Sequence, residues 1–125
     1  MSIFDDHLGL YTDYYELTMA QGFFFQKKKE DVAAFDYFFR TNPYKGGFTV
    51  FAGLQDFLDL LEKFTFGKTD IEYLQTQGFE SEFLDYLKNF RFSGTIYSVK
   101  EGEIVFPNEP SLRVEGTIIE CQMIE

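Results

Sequence analysis

Thr12-Asp13-Tyr14-Tyr15-Glu16-Leu17-Thr18-Met19 is the stretch on which the reading of this chain turns. Asp13 and Glu16 have the spacing of a capping box, with aspartate in place of the usual serine or threonine. The spacing predicts a helix from about Tyr14 to Phe25. Leu17, Met19 and the Phe23-Phe24-Phe25 run give that helix a wide apolar surface. Lys27-Lys28-Lys29 follow at its C-terminal end, where cations suit the helix dipole, and read as a solvated turn. Two adjacent tyrosines on the first turn admit two readings. They are half-buried packing residues behind an N-cap, or they form an aromatic face that holds a flat ligand without needing a charge.

Upstream, residues 1–12 read as an extended lead-in. Downstream, Val32 to Arg40 reads as a strand with apolar residues on both faces, as expected of a central strand. Period-two alternation places Ala34, Asp36, Phe38 and Arg40 on one face. An arginine rarely ends an apolar strand without a partner. Its partner here is either Asp36 on the same face or a phosphate, which guanidinium binds bidentately.

Thr41 to Gly47 is a loop by its breakers, and Phe48 to Phe51 a short second strand. Three helices follow. The first, about Leu54 to Phe64, carries Leu54, Phe57, Leu58, Leu61 and Phe64 at helical spacing. The second begins at Thr69, which with Glu72 has capping-box spacing, and ends near Gly78. The third runs from about Ser81 to Phe90. Short strands are expected over Thr95–Val99, Ile104–Phe106 and Leu112–Val114, separated by turns at Lys100-Glu101-Gly102 and Pro107-Asn108-Glu109-Pro110. From Gly116 a new helix begins, with Thr117 and Glu120 as a third capping box. It stops after two turns without Gly, Pro or a basic last turn, so the chain reads as a fragment of a longer protein. The order αββαααβββα predicts one α+β domain over 1–125, with strands from both halves meeting in one sheet.

The apolar fraction is 45% and the charged fraction 26%, ordinary for a soluble globular chain, but 17 Phe and 8 Tyr are not ordinary. They imply a bulky core, exposed aromatic surface, or both. A net charge of −10 repels phosphate backbones and argues against nucleic acid as a general partner. Cys121 is the single cysteine, which excludes an intrachain disulfide and fits a reducing compartment. The N-terminus lacks the features of a signal peptide, and no apolar run is long enough to span a bilayer. The expected location is the cytoplasm, with no membrane partner.

His7 is the only histidine and reads as a surface residue beside Asp5 and Asp6. With one His and one Cys, neither a zinc site nor a Cys–His nucleophile pair can be assembled. No Gly-rich phosphate loop is present. None of the 21 carboxylates is marked as a general acid or base by its sequence position.

Several stretches nevertheless resemble one family in order and spacing. They are Tyr11 to Gly22, Phe35-Asp36-Tyr37-Phe38-Phe39-Arg40-Thr41-Asn42-Pro43, Phe51 to Asp56, Phe83 to Leu87, and Phe106 to Gly116. Together they resemble the N-terminal domain of nicotinate phosphoribosyltransferase, a type II phosphoribosyltransferase, across nearly the whole chain. Thr117 stands where the family favours proline, and both residues suit a helix start.

The resemblance implies an enzyme that joins nicotinate to the ribose of phosphoribosyl pyrophosphate, giving nicotinate mononucleotide and pyrophosphate, an entry step to NAD. It implies coupling to ATP hydrolysis through a phosphorylated histidine far downstream of His7, Mg²⁺ on the pyrophosphate, and a homodimer whose site is shared between subunits. An irregular α/β barrel would follow this truncated N-terminal domain, so the fragment alone should be inactive and hold no catalytic residue or metal. By resemblance Tyr15 stacks on the pyridine ring from the neighbouring subunit, Asp13 helps orient the site, and Arg40 meets phosphate groups. Tyr14 falls at a variable position and takes no role. Two alternatives remain: a non-catalytic self-association module, and a sibling transferase specific for nicotinamide or quinolinate.

Overall fold

The structure is a computed structural model and describes residues 7–125; Asp5, Asp6 and the rest of the lead-in over 1–6 lie outside the described residues. The first helix, α1, spans Tyr14–Phe25 as the sequence predicts. The chain before it is not extended throughout, because Leu8–Tyr11 forms a 3-10 turn. The Gly9 N–H donates to Thr65 O at 3.1 Å, so this turn is pinned to the loop after the second helix. His7 is likewise more than a surface residue. Its Nδ1 meets Oδ1 of Asp70, a carboxylate that is itself buried.

The strand at Val32 is shorter than expected. β1 covers Val32–Tyr37, and Phe38 to Arg40 lie beyond it. After a 3-10 turn at Pro43–Lys45 come β2 (Thr49–Val50) and the helices α2 (Leu54–Lys63), α3 (Lys68–Thr76) and α4 (Ser81–Lys88). Then come β3 (Thr95–Ser98), β4 (Ile104–Val105), β5 (Leu112–Thr117) and α5 (Ile118–Ile124). β5 runs straight into α5 with no intervening loop.

β1 and β3 pair antiparallel with opposite edges of β5, giving the order β1-β5-β3. Strands from both halves therefore meet in one sheet, and a second antiparallel pair joins β2 to β4. β1 is an edge strand rather than a central one. Ala33 and Phe35 are half-buried, whereas Val32, Ala34, Asp36 and Tyr37 are exposed, so its apolar residues do not imply two covered faces. The sheet's centre is β5, where Val114 is buried.

The core is helical and aromatic. Leu17 and Ala20 of α1, Ile71 and Leu74 of α3, Phe83, Leu84 and Leu87 of α4, and Ile119 and Met123 of α5 are all buried in one cluster. Phe83 is fully buried, with the rings of Phe24, Phe79 and Tyr86 at 5.7, 6.2 and 6.2 Å. Much of the unusual phenylalanine content is thus core volume. α2 differs. Its apolar stripe is regular, yet none of its residues is buried.

Of the three expected capping boxes, one forms. Thr117 Oγ1 accepts from the Glu120 N–H at 3.3 Å, and Glu120 Oε2 accepts from the Thr117 N–H at 2.8 Å. The Thr69–Glu72 box does not form, because α3 begins earlier. Gly67 is its N-cap, and the Gly67 N–H donates to Asp70 Oδ2 at 2.7 Å. The Asp13–Glu16 box also fails. Asp13 is the N-cap residue without a side-chain cap bond, and the Glu16 carboxyl turns inward instead.

Candidate functional site

The start of α1 divides its side chains between solvent and core. Successive helical residues are about 100° apart, so neighbours on the first turn point in different directions. Tyr14 and Tyr15 face outward and are each about half exposed, whereas Glu16 and Leu17 are buried. Tyr14 is engaged edge-on with Phe79, their centroids 5.6 Å apart at 73°. Tyr15 packs against no other ring among the described residues.

Asp13 and Tyr15 share the wall of a cavity of about 280 Å³ with Tyr11, Phe57, Ile124 and Glu125. The structure thus brings these two candidate residues together. Arg40 lines neither this cavity nor the larger one of about 630 Å³ between the β1–β5 face and the start of α2. It is exposed, and among the described residues it makes no ion pair. Asp36 does not hold it. Asp36 sits in register with Arg113 of β5, whose Nη1 lies 3.4 Å from Oδ1 of Asp36. Arg113 also donates through Nε to Glu115 at 2.8 Å, and this pairing is the first cause that raises its pKa. The structural partner weighed for Arg40 is therefore already engaged with another arginine.

Tyr15 has an acidic setting. Its phenol is pushed up to about 12, first by interaction with the neighbouring Glu16 carboxyl, then by desolvation and the negative charges of Glu16, Glu125 and Asp13. Tyr15 is therefore a neutral ring across the physiological range, as a stacking surface requires.

Two residues of this region were missed in the sequence, Glu16 and Gln122. Gln122 Nε2 donates to Glu16 Oε2, and both side chains are buried. Glu16 Oε1 is the one buried side-chain oxygen or nitrogen without a hydrogen-bond partner among the described residues. Burial raises the Glu16 pKa, helped by Glu125 and Asp13 and opposed by Tyr15. The available signal was its i, i+4 spacing with Ala20, which puts Glu16 on a core-facing stripe. A capping-box reading hid that signal.

Among the described residues, no group of three or more His, Cys, Asp or Glu side chains is placed to hold a metal ion. No helix among them is long and apolar enough to cross a membrane.

Comparison with known proteins gives this site a context. Residues 10–125 match the family model described as the nicotinate phosphoribosyltransferase (NAPRTase) N-terminal domain. The nicotinate phosphoribosyltransferase of Bacillus subtilis (strain 168) is 44% identical over 122 residues, covering 97% of this chain and 25% of that protein. The one from Caenorhabditis elegans is 42% identical over 120 residues, covering 93% of this chain and 21% of that protein. The crystal structure of human nicotinic acid phosphoribosyltransferase superposes with a TM-score of 0.81 at 31% identity, over 90% of this chain and 23% of that one. The chain thus spans about a quarter of the length of these relatives. By sequence and by fold, it belongs to the nicotinate phosphoribosyltransferase family and corresponds to its N-terminal domain.

Proposed function

We propose that this chain is the N-terminal part of an enzyme that makes nicotinate mononucleotide and pyrophosphate from nicotinate and phosphoribosyl pyrophosphate, with ATP hydrolysed alongside. The observation that carries this reading is the family match over residues 10–125, which includes the whole Tyr11–Gly22 motif. In the reaction C1 of the ribose gains oxocarbenium character as pyrophosphate departs. The enzyme must hold the pyridine nitrogen in line with C1 and offset the departing charge.

In this reading Tyr15 is the platform for the pyridine ring. Its support is a half-exposed neutral ring, at a cavity wall, with no aromatic partner among the described residues. Asp13, on the wall of the same cavity, helps orient the site. Arg40 meets phosphate oxygens, and its exposure without an ion pair among the described residues leaves the guanidinium available for them. Arg40 stands apart from the Tyr15 cavity, which fits a site completed by other parts of the enzyme.

Mg²⁺ belongs to the family reaction through pyrophosphate. The described residues do not supply a ligand cluster for it, so no step is assigned to the metal through this chain. The same holds for ATP.

The complete enzyme is proposed to work as a cytoplasmic homodimer. Tyr37, Phe38, Phe48 and Phe106 are all large, apolar and at least 45% exposed, and such surface favours association. This observation also supports the second reading, a self-association module without a catalytic role. The test is an assay of the complete protein for nicotinate mononucleotide with ATP and Mg²⁺, offering nicotinate, nicotinamide and quinolinate in parallel. Turnover with nicotinate supports the proposal. Turnover with another pyridine assigns a sibling activity, and none with any pyridine leaves the association module.

A further inference from the structure

We propose that Glu16 is a positioning residue for Tyr15: its buried carboxyl, joined to Gln122 of α5, sets the angle at which the Tyr15 ring is presented. The proposal rests on the reading of Tyr15 as the pyridine platform. Glu16 and Tyr15 are adjacent on the first turn of α1. One is 2% exposed and points inward, whereas the other is 51% exposed and points outward. Any rotation of the turn that moves one side chain moves the other.

A glutamate is a poor choice for filling a buried site, because its polar atoms must find partners. Glu16 finds one, and it comes from 106 residues away. Gln122 is itself 2% exposed, so the bond ties the interior of α1 to the interior of α5. Thr12 Oγ1, just before the N-cap, donates to Met123 O at 2.5 Å and ties the entry to that turn to the same helix. Leu17 and Ala20 also pack in one cluster with Ile119 and Met123, but apolar contact tolerates small rotations. Hydrogen bonds are directional, and two of them fix the turn against α5.

The groups that face Glu16 are Asp13 and Tyr15 at the start of α1, Gln122 of α5 and Glu125 just after it. None carries a positive charge. Burial, Glu125 and Asp13 favour the protonated carboxyl, and Tyr15 opposes them without reversing the upward shift. Once ionised, Glu16 becomes a buried anion beside two other carboxylates, with Oε1 unpartnered. Ionisation strengthens the Gln122 bond itself but leaves a desolvated charge that favours moving the carboxyl out of the core, so the placement of Tyr15 depends on pH in the wild type.

The experiment uses the complete enzyme that contains this chain, as wild type, Glu16→Gln, Glu16→Leu and Gln122→Leu. KM for nicotinate, KM for phosphoribosyl pyrophosphate and kcat are measured from about pH 5, just above the ordinary carboxyl value, up to about pH 9. Glu16→Leu and Gln122→Leu are expected to raise KM for nicotinate about tenfold, with the other two parameters within about twofold. Glu16→Gln, which keeps the bond and cannot ionise, is expected to restore that KM and flatten its rise with pH. A Glu16→Leu enzyme with unchanged KM, or with all three parameters altered together, overturns the proposal. If the leucine variants do not fold, the pH comparison decides. Parallel wild-type and Glu16→Gln profiles overturn the role of Glu16. A wild-type enzyme that makes no nicotinate mononucleotide overturns the functional reading itself, a result distinct from either.

Discussion

Ser93 donates both its backbone N–H, at 2.7 Å, and its hydroxyl, at 2.8 Å, to Oε1 of Glu120. The other oxygen of the same carboxylate takes the N–H and hydroxyl of Thr117, at 2.8 and 2.9 Å. One buried carboxylate thus caps α5 and anchors the segment that leads into β3. Burial alone would raise its pKa, but these bonds outweigh burial and the net shift is downward from 4.5. Because the folded value lies below the unfolded one, the contribution is fully present above about pH 4.5 and fades as pH falls through the folded value. Glu120→Gln should cost about 2–3 kcal/mol near neutral pH. Melting curves of both proteins from neutral pH to about pH 3 check this, and the gap between them should narrow at the acid end.

Gly94 permits the close approach that this anchor requires. A Cβ built on it would lie 2.3 Å from Glu115 O and 2.8 Å from the Phe92 ring. The ring can shift, but the carbonyl belongs to the central strand. Gly94→Ala should therefore destabilise by about 1–3 kcal/mol. Gly47→Ala, where nothing lies within 4 Å of the added carbon, is the control expected to be close to neutral. Denaturant midpoints of the two variants make the comparison.

Phe83 is fully buried among aromatic neighbours from α1, α4 and the α3–α4 connection. Phe83→Ala should cost about 3–5 kcal/mol, and Phe83→Leu less, because leucine refills part of the space. Chemical denaturation of the pair checks the order as well as the size.

Cys121 is 1% exposed, and burial raises its thiol pKa. It donates towards Ala33 O at 3.5 Å and Val114 O at 3.8 Å. A thiol held this way reacts only when the structure opens. Labelling by a disulfide reagent near pH 8 should be slow in the native protein and fast in denaturant. Rapid native labelling would show that α5 separates readily from the sheet.

What could be read in the sequence was the part whose partners are close along the chain. The Thr117–Glu120 box joins residues one turn apart, and the α1 limits follow from the Asp13 N-cap position and the lysine run after Phe25. The spacing of Asp13 and Glu16 is the same, yet Glu16 bonds to Gln122, 106 residues on. No local rule reveals that competitor. Arg40 and Asp36 share a strand face in sequence, but β5 brings Arg113 opposite Asp36 in the sheet register. The edge position of β1 was hidden for a related reason. Val32 and Ala34 are apolar but exposed, and hydrophobicity alone does not say which face finds a cover. At the candidate site, the aromatic character of Tyr15 was legible. Its difference from Tyr14 in packing, and the buried carboxyl beside it, needed the fold.

The most direct test of the account compares Tyr15→Ala with Tyr14→Ala in the complete enzyme. Tyr14 already packs against Phe79, whereas Tyr15 has no ring partner among the described residues. KM for nicotinate is the quantity to measure, at saturating phosphoribosyl pyrophosphate, ATP and Mg²⁺. The account predicts a rise of about tenfold or more for Tyr15→Ala and a change within about twofold for Tyr14→Ala. Equal effects, or a larger effect at Tyr14, would contradict the assignment of Tyr15 as the pyridine platform.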